Sequence, residues 1–286
     1  MTTPPIHAEL ASRALISLSG PDWRSFLQGL ITQDVETLRP GEARFAALLT
    51  PQGRLLWDLF VVGRQNGCWL DVAREAREAI VQRLSMYRLR AKVEIAPDEA
   101  VVSAVYQTPP QSPSEVDRAQ RETEGAFIPD PRLVELGLRG YGAAPPAGAT
   151  HADEAAYDAH RLRLGVPGPA DWGSDRSYPI EANFDLLGGI DFKKGCFVGQ
   201  ETTSRMKRRG QVKTRMLPIA FEGAPPPAGA EVLNGSLRAG EVRSGSDGRA
   251  IALLRLDRIE GALTVDGRPV QVERPAWTAG ALGESA

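Results

Sequence analysis

The chain has 286 residues, 34 Lys and Arg against 36 Asp and Glu, and a formal net charge of −2. This balance creates no overall field that would draw the protein to nucleic acid or an anionic membrane, and no apolar run approaches the ~20 residues that span a bilayer. Two cysteines, Cys68 and Cys196, are too few for a disulfide framework and suit a reducing compartment. Because the N-terminus lacks a charged segment followed by an apolar one, the sequence predicts a cytoplasmic protein.

The first third of the chain alternates between strand and helix patterns. Period-two alternation or short apolar runs predict strands at residues 14–19, 44–50, 54–62, 68–72 and 88–95. Apolar residues at helical spacing predict helices at 22–34 and 73–87. The turn Pro51-Gln52-Gly53 joins two strands as a hairpin. This order predicts an antiparallel sheet with helices on one face.

Asp58 is a lone carboxylate inside the return strand of that hairpin, with apolar neighbours on both faces. An unpaired buried carboxylate is costly, so Asp58 must be paired, protonated or open to a cavity. One interpretation is a structural ion pair with an arginine. The other is a functional carboxylate that binds or deprotonates a ligand nitrogen.

The middle of the chain contains two polar connections and one polar–apolar alternation. Residues 108–125 and 141–150 are predicted to be mobile connections, and 153–164 a helix. In the segment 177–185, Glu181 and Asn183 alternate with apolar residues, so on an extended piece both project from one side. A carboxylate beside an amide is suited to binding a heterocycle edge; the alternative is a solvated strand face.

A basic run at 205–215 is predicted to be a solvated hairpin. Its alternatives are a nucleic-acid patch, which no interleaved aromatic residues support, and a basic rim around a pocket for an anionic ligand tail. From residue 214 to 286, short strands and hairpin turns such as Asn234-Gly235 and Asp266-Gly267 predict a compact β-barrel domain. The predicted fold class is therefore α+β, with antiparallel mixed sheets and helices in residues 1–213 and a C-terminal barrel.

The stretch from Lys193 to Thr202 carries the second cysteine between two glycines. Gly195 and Gly199 lack a Cβ, which allows a positive φ or close approach to another surface. The stretch is either a tight loop with a half-buried cysteine or a reactive-thiol site, in which Lys193 and Lys194 would favour the thiolate.

The residues Lys194-Gly195-Cys196-Phe197-Val198-Gly199-Gln200-Glu201 resemble the signature of the YgfZ family. These are folate-binding proteins associated with iron–sulfur cluster assembly or repair. They are similar in fold to the aminomethyltransferase, or T-protein, of the glycine cleavage system. Further matches occur at residues 26–35, 49–54, 130–132, 136–137, 179–183 and 239–245, so the resemblance covers nearly the whole chain.

This resemblance implies two intertwined sub-domains within 1–213 that bind tetrahydrofolate or a derivative, with no tightly bound metal. Asp58 and Glu181 would face the pteridine, with Asn183 beside them, and Gln200 and Arg205 match the YgfZ pattern and complete the expected binding residues. The remaining matched positions of the motif are Lys194, Gly195, Phe197, Gly199 and Glu201.

The predicted function is assembly or repair of iron–sulfur clusters in client enzymes, with Cys196 as the reactive thiol. An accessory factor, monomeric and working with folate and with client or assembly proteins, is favoured over an enzyme. Two alternatives stay open. One is a folate-dependent aminomethyl or one-carbon transferase with Asp58 as a catalytic carboxylate. The other is a binding module for RNA or for an RNA-modifying enzyme, acting through the basic run.

Overall fold

The computed structural model of the chain describes residues 4–107, 126–210 and 212–282. The strands are β1 Ile6–Glu9, β2 Arg13–Ser19, β3 Ala43–Leu49, β4 Leu55–Arg64, β5 Gly67–Ala73, β6 Glu94–Asp98, β7 Val102–Tyr106, β8 Ala126–Pro129, β9 Leu138–Tyr141, β10 Thr150–Ala152, β11 Thr214–Phe221, β12 Glu231–Asn234, β13 Leu237–Ser246, β14 Arg249–Arg255, β15 Leu263–Val265 and β16 Arg268–Val272. The α-helices are α1 Trp23–Gln28, α2 Arg77–Arg88, α3 Glu154–Arg163, α4 Pro169–Trp172, α5 Gln200–Arg209 and α6 Ala279–Leu282. No helix in these described ranges is long and apolar enough to cross a membrane.

The described chain forms two compact units. The first draws on Met1–Leu49, Trp57–Tyr157 and Leu187–Val198, and the second on Thr50–Leu56, Asp158–Leu186 and Gly199–Ala286. Strand β11 starts at Thr214, and the predicted domain boundary there stays a prediction. The two intertwined sub-domains within 1–213 stay a prediction.

The first unit contains two five-stranded sheets, ordered β3-β4-β5-β2-β6 and β10-β1-β7-β9-β8. Helix α2 covers the first sheet, because its buried Ile80 and Leu84 belong to the same apolar cluster as the strand residues Ile16 and Leu70. On the opposite face of β2, Leu15 joins a second cluster with residues of the other sheet. Each face of the first sheet is therefore covered by apolar packing.

The second unit contains a closed barrel with strand order β11-β14-β13-β12-β15-β16. Alternate residues of its strands, among them Leu217, Val232, Ala252 and Val265, fill the interior. Closure pairs every strand edge, which leaves no open edge for aggregation. The predicted α+β class with a C-terminal barrel is confirmed.

Several predicted elements differ from the structure. The strand predicted at 88–95 is wrong, because α2 continues through Arg88 and β6 begins only at Glu94. Leu89, with a φ of 43°, turns the chain after the helix. The helix predicted at 22–34 is limited to α1, which ends at Gln28 before Gly29.

The hairpin predicted in the basic run is also wrong. Residues 205–209 form the second half of α5, since long unbranched basic side chains lose little freedom in a helix. Gly210, with a φ of 58°, ends that helix.

Of the two predicted connections, the one at 108–125 lies outside the described residues. The connection at 141–150 is described. Its ends are held by hydrogen bonds from Gly142 N to Val101 O and from Thr150 N to Pro5 O, both 2.8 Å long.

Candidate functional site

Cys196 lies on a loop, residues 187–198, which we call the thiol loop. The thiol loop faces residues 29–34, which follow α1 and which we call the facing turn. Turn residues cannot use a helical hydrogen-bond ladder, so their polar groups need other partners. The hydrogen bonds joining the two segments are Val198 N to Gly29 O (3.2 Å), Asp191 N to Thr32 O (3.0 Å), Thr32 Oγ1 to Gly189 O (2.6 Å), Gln33 Nε2 to Gly188 O (2.6 Å), and Lys194 Nζ to Ile31 O and Gln33 O (2.8 Å each). The loop is therefore held at both ends and in its middle.

The two cysteines differ sharply in environment. Cys196 is exposed, whereas Cys68 is buried in the first unit. Burial raises the pKa of the Cys68 thiol well above its usual range, which leaves it inert as a nucleophile. Cys68 is a packed core residue, and Cys196 is the thiol that a partner molecule can reach.

Lys194 is a structural clamp for the thiol loop. Besides its two carbonyl partners in the facing turn, its Nζ lies 5.4 Å from the centroid of the Phe197 ring, which is within cation–π range. Burial lowers the pKa of Lys194 to about 8. Within the described chain no hydrogen bond or ion pair joins Lys194 to Cys196, so its activation of the thiolate stays a prediction. Sequence reasoning missed the clamping role because both carbonyls lie about 160 residues away.

The glycines around the cysteine have different roles. Gly199 has a φ of 82° and precedes the first residue of α5, a conformation that favours glycine. At Gly195 a Cβ would lie in open space. Only the second glycine is therefore required by the backbone.

Asp58 is buried on β4 and pairs with Arg13 of β2, with 2.9 Å between Asp58 Oδ2 and Arg13 Nη1. The observed contact of Asp58 is thus an ion pair with an arginine, as the first of its two interpretations has it. Arg13 also reaches Asp71 on β5, with its Nε 2.6 Å from Oδ1. An arginine at the start of a predicted apolar strand was the sequence signal that could have identified this partner.

The ion pair belongs to a larger buried network in the first unit. Arg139 of β9 donates to Asp71 Oδ2 over 2.5 Å, and Arg132 pairs with Asp130 over 2.8 Å. Burial opposes ionisation of Asp71, but Arg13 and Arg139 outweigh it and hold the pKa of Asp71 below its usual value. The same balance, set by Arg132, lowers the pKa of Asp130. Three guanidinium groups and three carboxylates thus compensate one another.

The aromatic ring of Phe60 lies among those three arginines. The guanidinium carbons of Arg139, Arg132 and Arg13 lie 4.0, 4.9 and 5.5 Å from its centroid. Cation–π attraction and ion pairing together satisfy these buried charges.

The extended segment predicted at 177–185 is wrong, because the residues form consecutive turns. Backbone hydrogen bonds such as Asn183 N to Ile180 O (3.1 Å) and Phe184 N to Pro179 O (3.0 Å) close them. Glu181 is half-buried, and its oxygens accept from Tyr178 N (2.9 Å) and Thr214 Oγ1 (2.5 Å).

Asn183 is fully buried and adopts a φ of 61°. Its Nδ2 donates to Met216 O over 2.6 Å, and its Oδ1 accepts from Arg215 Nη1 over 3.0 Å. The amide thus anchors the turns to β11, a role that does not favour its predicted contact with a ligand.

The remaining predicted residues lie on α5. Gln200 is its first residue and half-buried, and Arg205 is exposed. Lys207 Nζ lies 3.8 Å from Asp185 Oδ2, while Arg215 pairs with the same carboxylate over 2.9 Å. Part of the basic run therefore has a structural role within the second unit. In the described ranges no group of three or more His, Cys, Asp and Glu side chains is placed to hold a metal ion.

Comparison with known proteins relates this geometry to a family. Residues 213–280 match the family model of the CAF17 C-terminal beta-barrel domain. The human iron–sulfur cluster assembly factor IBA57 is 32% identical over 281 residues, covering 90% of this chain and 79% of the human protein. The chain belongs to the IBA57 family. The expected relationship to iron–sulfur assembly factors is confirmed at the level of this family.

Other members of the IBA57 family are longer than this chain. The Neurospora crassa homolog is 33% identical over 241 residues, covering 76% of this chain and 54% of that protein. The Mycosarcoma maydis homolog is 34% identical, and 59% of its length is matched. The chain thus spans little more than half the length of these fungal relatives.

Among solved structures, the glycine cleavage system aminomethyltransferase T from Bartonella henselae matches with a TM-score of 0.76 and 17% identity. The match covers 96% of this chain and 86% of the other. It shows that the IBA57-family chain has a T-protein-like fold.

The expected cytoplasmic location is wrong. The human, Neurospora crassa and Mycosarcoma maydis members of the family are all named mitochondrial proteins. The N-terminal composition of the chain does not distinguish these compartments.

Proposed function

We propose that the chain acts in the assembly or repair of iron–sulfur clusters, with Cys196 as the thiol that contacts the cluster in transit. Membership of a family whose members are named iron–sulfur cluster assembly factors supports this proposal. The observation that carries it is an exposed thiol on a loop held by hydrogen bonds to the facing turn. A thiolate held in place in this way is a ready ligand for iron.

Cys196 supplies one ligand, whereas iron–sulfur clusters usually take about four. The remaining ligands belong to the protein that delivers or receives the cluster, so the contact is shared and transient. The cluster is cargo in this proposal, and an assembly or client protein is the partner.

Complementation of a deletion strain tests the proposal. Cys196→Ala should fail to restore the activity of iron–sulfur enzymes while leaving enzymes without clusters unaffected. Cys68→Ala, at equal protein level, is the matched control and should complement. Full complementation by Cys196→Ala would show that the function does not need the thiol.

We also propose that the chain binds tetrahydrofolate or a derivative. The resemblance to the YgfZ family and the T-protein-like fold support this. Among the expected contacts, Glu181 fits best: it is half-buried, and a carboxylate with two hydrogen bonds retains acceptor sites for ring N–H groups. Asp58 and Asn183 fit less well because both are buried and engaged internally.

Titration with tetrahydrofolate, followed by the fluorescence of Trp57 and the other tryptophans, tests the folate proposal. Glu181→Ala should weaken binding, whereas Glu222→Ala, an exposed carboxylate of the same unit, should not. Cys196→Ala should bind like the unmodified chain. The absence of any saturable binding would contradict the folate proposal and leave the thiol proposal standing.

We do not extend the proposal to aminomethyl transfer. That chemistry needs a carboxylate beside the reactive nitrogens, and Asp58 Oδ2 already accepts from Arg13.

A further inference from the structure

The C-terminal end of α2 exposes an unusual concentration of apolar side chains. Among the described residues, six large hydrophobic side chains are exposed, and Met86, Tyr87 and Leu89 are three of them. Scattered single apolar residues are normal on a protein surface, whereas a contiguous patch marks an interaction site.

The backbone at Leu89 is a second unusual feature of this surface. Its φ is 43° and its ψ −105°, and 89% of the residue is exposed. Glycine is the usual residue with positive φ after a helix, and leucine there is strained. A bulky apolar group thus stands at a position whose backbone conformation favours glycine.

Positive charge surrounds these apolar residues. Residues 83–94 contain the cations Arg83, Arg88, Arg90 and Lys92 and a single carboxylate, Glu94. Arg88 and Arg90 are exposed, and neither has an ion-pair partner in the part of the chain that the structure describes. A partner for this surface therefore carries negative charge.

Beside the patch lies a small open cleft, lined by Leu30, Leu48, Leu49, Leu84, Tyr87 and Val198. Arg83 also lines the cleft, donates to Leu49 O over 3.3 Å and lies over the Tyr87 ring. Guanidinium carries five N–H donors, so Arg83 retains donors for a carboxylate. The cleft is small and open, so it offers an apolar surface against which a partner's side chain can lie, next to a cation for a carboxylate.

The cleft adjoins the thiol loop. Val198 lines it and is tied to the facing turn by its backbone N–H, which bonds Gly29 O over 3.2 Å. Cys196 is two residues earlier, which a chain spans in at most ~7 Å.

We propose that this cleft and the end of α2 form the docking surface for an acidic partner protein that exchanges an iron–sulfur cluster at Cys196. The partner packs apolar side chains against the mouth of the cleft and the exposed Leu89. It places a carboxylate on Arg83 and further acidic residues on Arg88 and Arg90, and it exposes its cluster to the thiol. The inference rests on the proposed function. Because the thiol loop lines the cleft through Val198, a partner on this surface lies beside the thiol, which favours a cluster-carrying protein over a membrane.

Selection of short random peptides on the full chain tests the surface directly. Enriched peptides should combine Asp or Glu with Leu, Phe or Met, and their binding should weaken with salt. Leu89→Gly and Arg90→Glu should each weaken binding at least about tenfold, as removal of an interface anchor does. Leu237→Ser, at an exposed leucine of the barrel, is the control and should leave binding unchanged.

Leu89→Gly separates docking from folding. Glycine relieves the positive φ, so the midpoint of thermal unfolding should not fall while binding is lost. In the deletion strain, Leu89→Gly and Arg90→Glu should lower iron–sulfur enzyme activity. Cys196→Ala should abolish that activity but bind peptide normally.

Several outcomes would overturn the docking surface without touching the thiol proposal. The selected peptides could be basic, or their binding could be unchanged in both variants. The chain could form a dimer that Leu89→Gly dissociates, or it could select no peptide and bind phosphatidylserine vesicles through Leu89. Full complementation by Leu89→Gly and Arg90→Glu would also overturn it. Full complementation by Cys196→Ala would instead overturn the proposed function.

Discussion

Arg13 and Asp58 form an ion pair in which both side chains are less than a tenth exposed, at 7% and 5%. Because Arg13 also contacts Asp71, one guanidinium joins carboxylates from two neighbouring strands, β4 and β5. Each member of the pair compensates a charge that would be costly to bury alone inside the first unit.

Asp58→Asn should destabilise the chain, because it leaves one buried guanidinium charge uncompensated. Breaking a buried pair by removing one partner costs about 3 kcal/mol of the free energy of unfolding. Urea denaturation followed by circular dichroism measures this. Glu99→Gln, in a pair whose carboxylate is 77% exposed, is the control and should cost less than about 1 kcal/mol. Similar losses in both variants would argue against the buried network.

Stability should decrease in acid through Asp71. Its pKa is lower in the folded chain than the ordinary value of 3.8, so the unfolded chain binds the proton first as the pH falls. The stabilisation is complete above the unfolded pKa and is lost as the pH falls through the folded one. Urea midpoints between about pH 6 and pH 3 should therefore fall less steeply for Asp71→Asn than for the unmodified chain. The matched control is Asp247→Asn, at an exposed hairpin position, which should behave like the unmodified chain. If the urea midpoints of Asp71→Asn fell with pH as steeply as those of the unmodified chain, the pairing of Asp71 would be contradicted.

Gly53→Ala should be more disruptive than Gly148→Ala. Both glycines have positive φ, 83° and 76°, which costs an alanine about 1 kcal/mol. At Gly53 a Cβ would also lie 2.9 Å from Gly199 O and from Thr202 Cβ, whereas at Gly148 it meets nothing within 4 Å. Overpacking adds about 1–3 kcal/mol, so thermal unfolding midpoints should separate the two variants. Equal midpoints would mean that the turn does not pack against the start of α5.

A thiol reagent should distinguish the two cysteines. In the native chain Ellman's reagent should modify Cys196 rapidly and Cys68 only after denaturation, because Cys68 is buried and its thiol pKa is raised. Release of thionitrobenzoate with and without denaturant measures this. Cys196→Ala should remove the fast phase; a fast phase that survives in this variant would assign it to Cys68.

Lys194→Met should loosen the thiol loop. It removes two hydrogen bonds from an ammonium group, which stabilise the closed loop on the order of 2 kcal/mol, while keeping an apolar stem over Phe197. Amide hydrogen exchange in residues 188–198 should accelerate. Lys193→Met, at the exposed neighbouring lysine, is the control and should leave exchange unchanged. Equal amide exchange rates in the two variants would show that Lys194 does not hold the loop.

Local patterns in the chain were sufficient for the barrel and the first hairpin. Strands of the barrel lie between turn pairs such as Asn234-Gly235, whose preference for positive φ is a property of the residues themselves. Period-two alternation likewise identified β3 and β4, since side-chain direction alternates in any strand. At residues 88–95 and 177–185, local preferences were compatible with more than one kind of element. There, tertiary packing decided which element formed.

Motifs and periodicity are local, and they were enough to predict the fold class, the barrel, the family resemblance and the cysteine of interest. The sequence also indicated that Asp58 is paired, protonated or open to a cavity, since an unpaired buried carboxylate is costly. The folded chain shows that Asp58 pairs with Arg13, that Lys194 holds the thiol loop, and that the Asn183 amide bonds to β11. Each of these contacts joins residues more than 30 positions apart, and no local pattern encodes which distant groups meet.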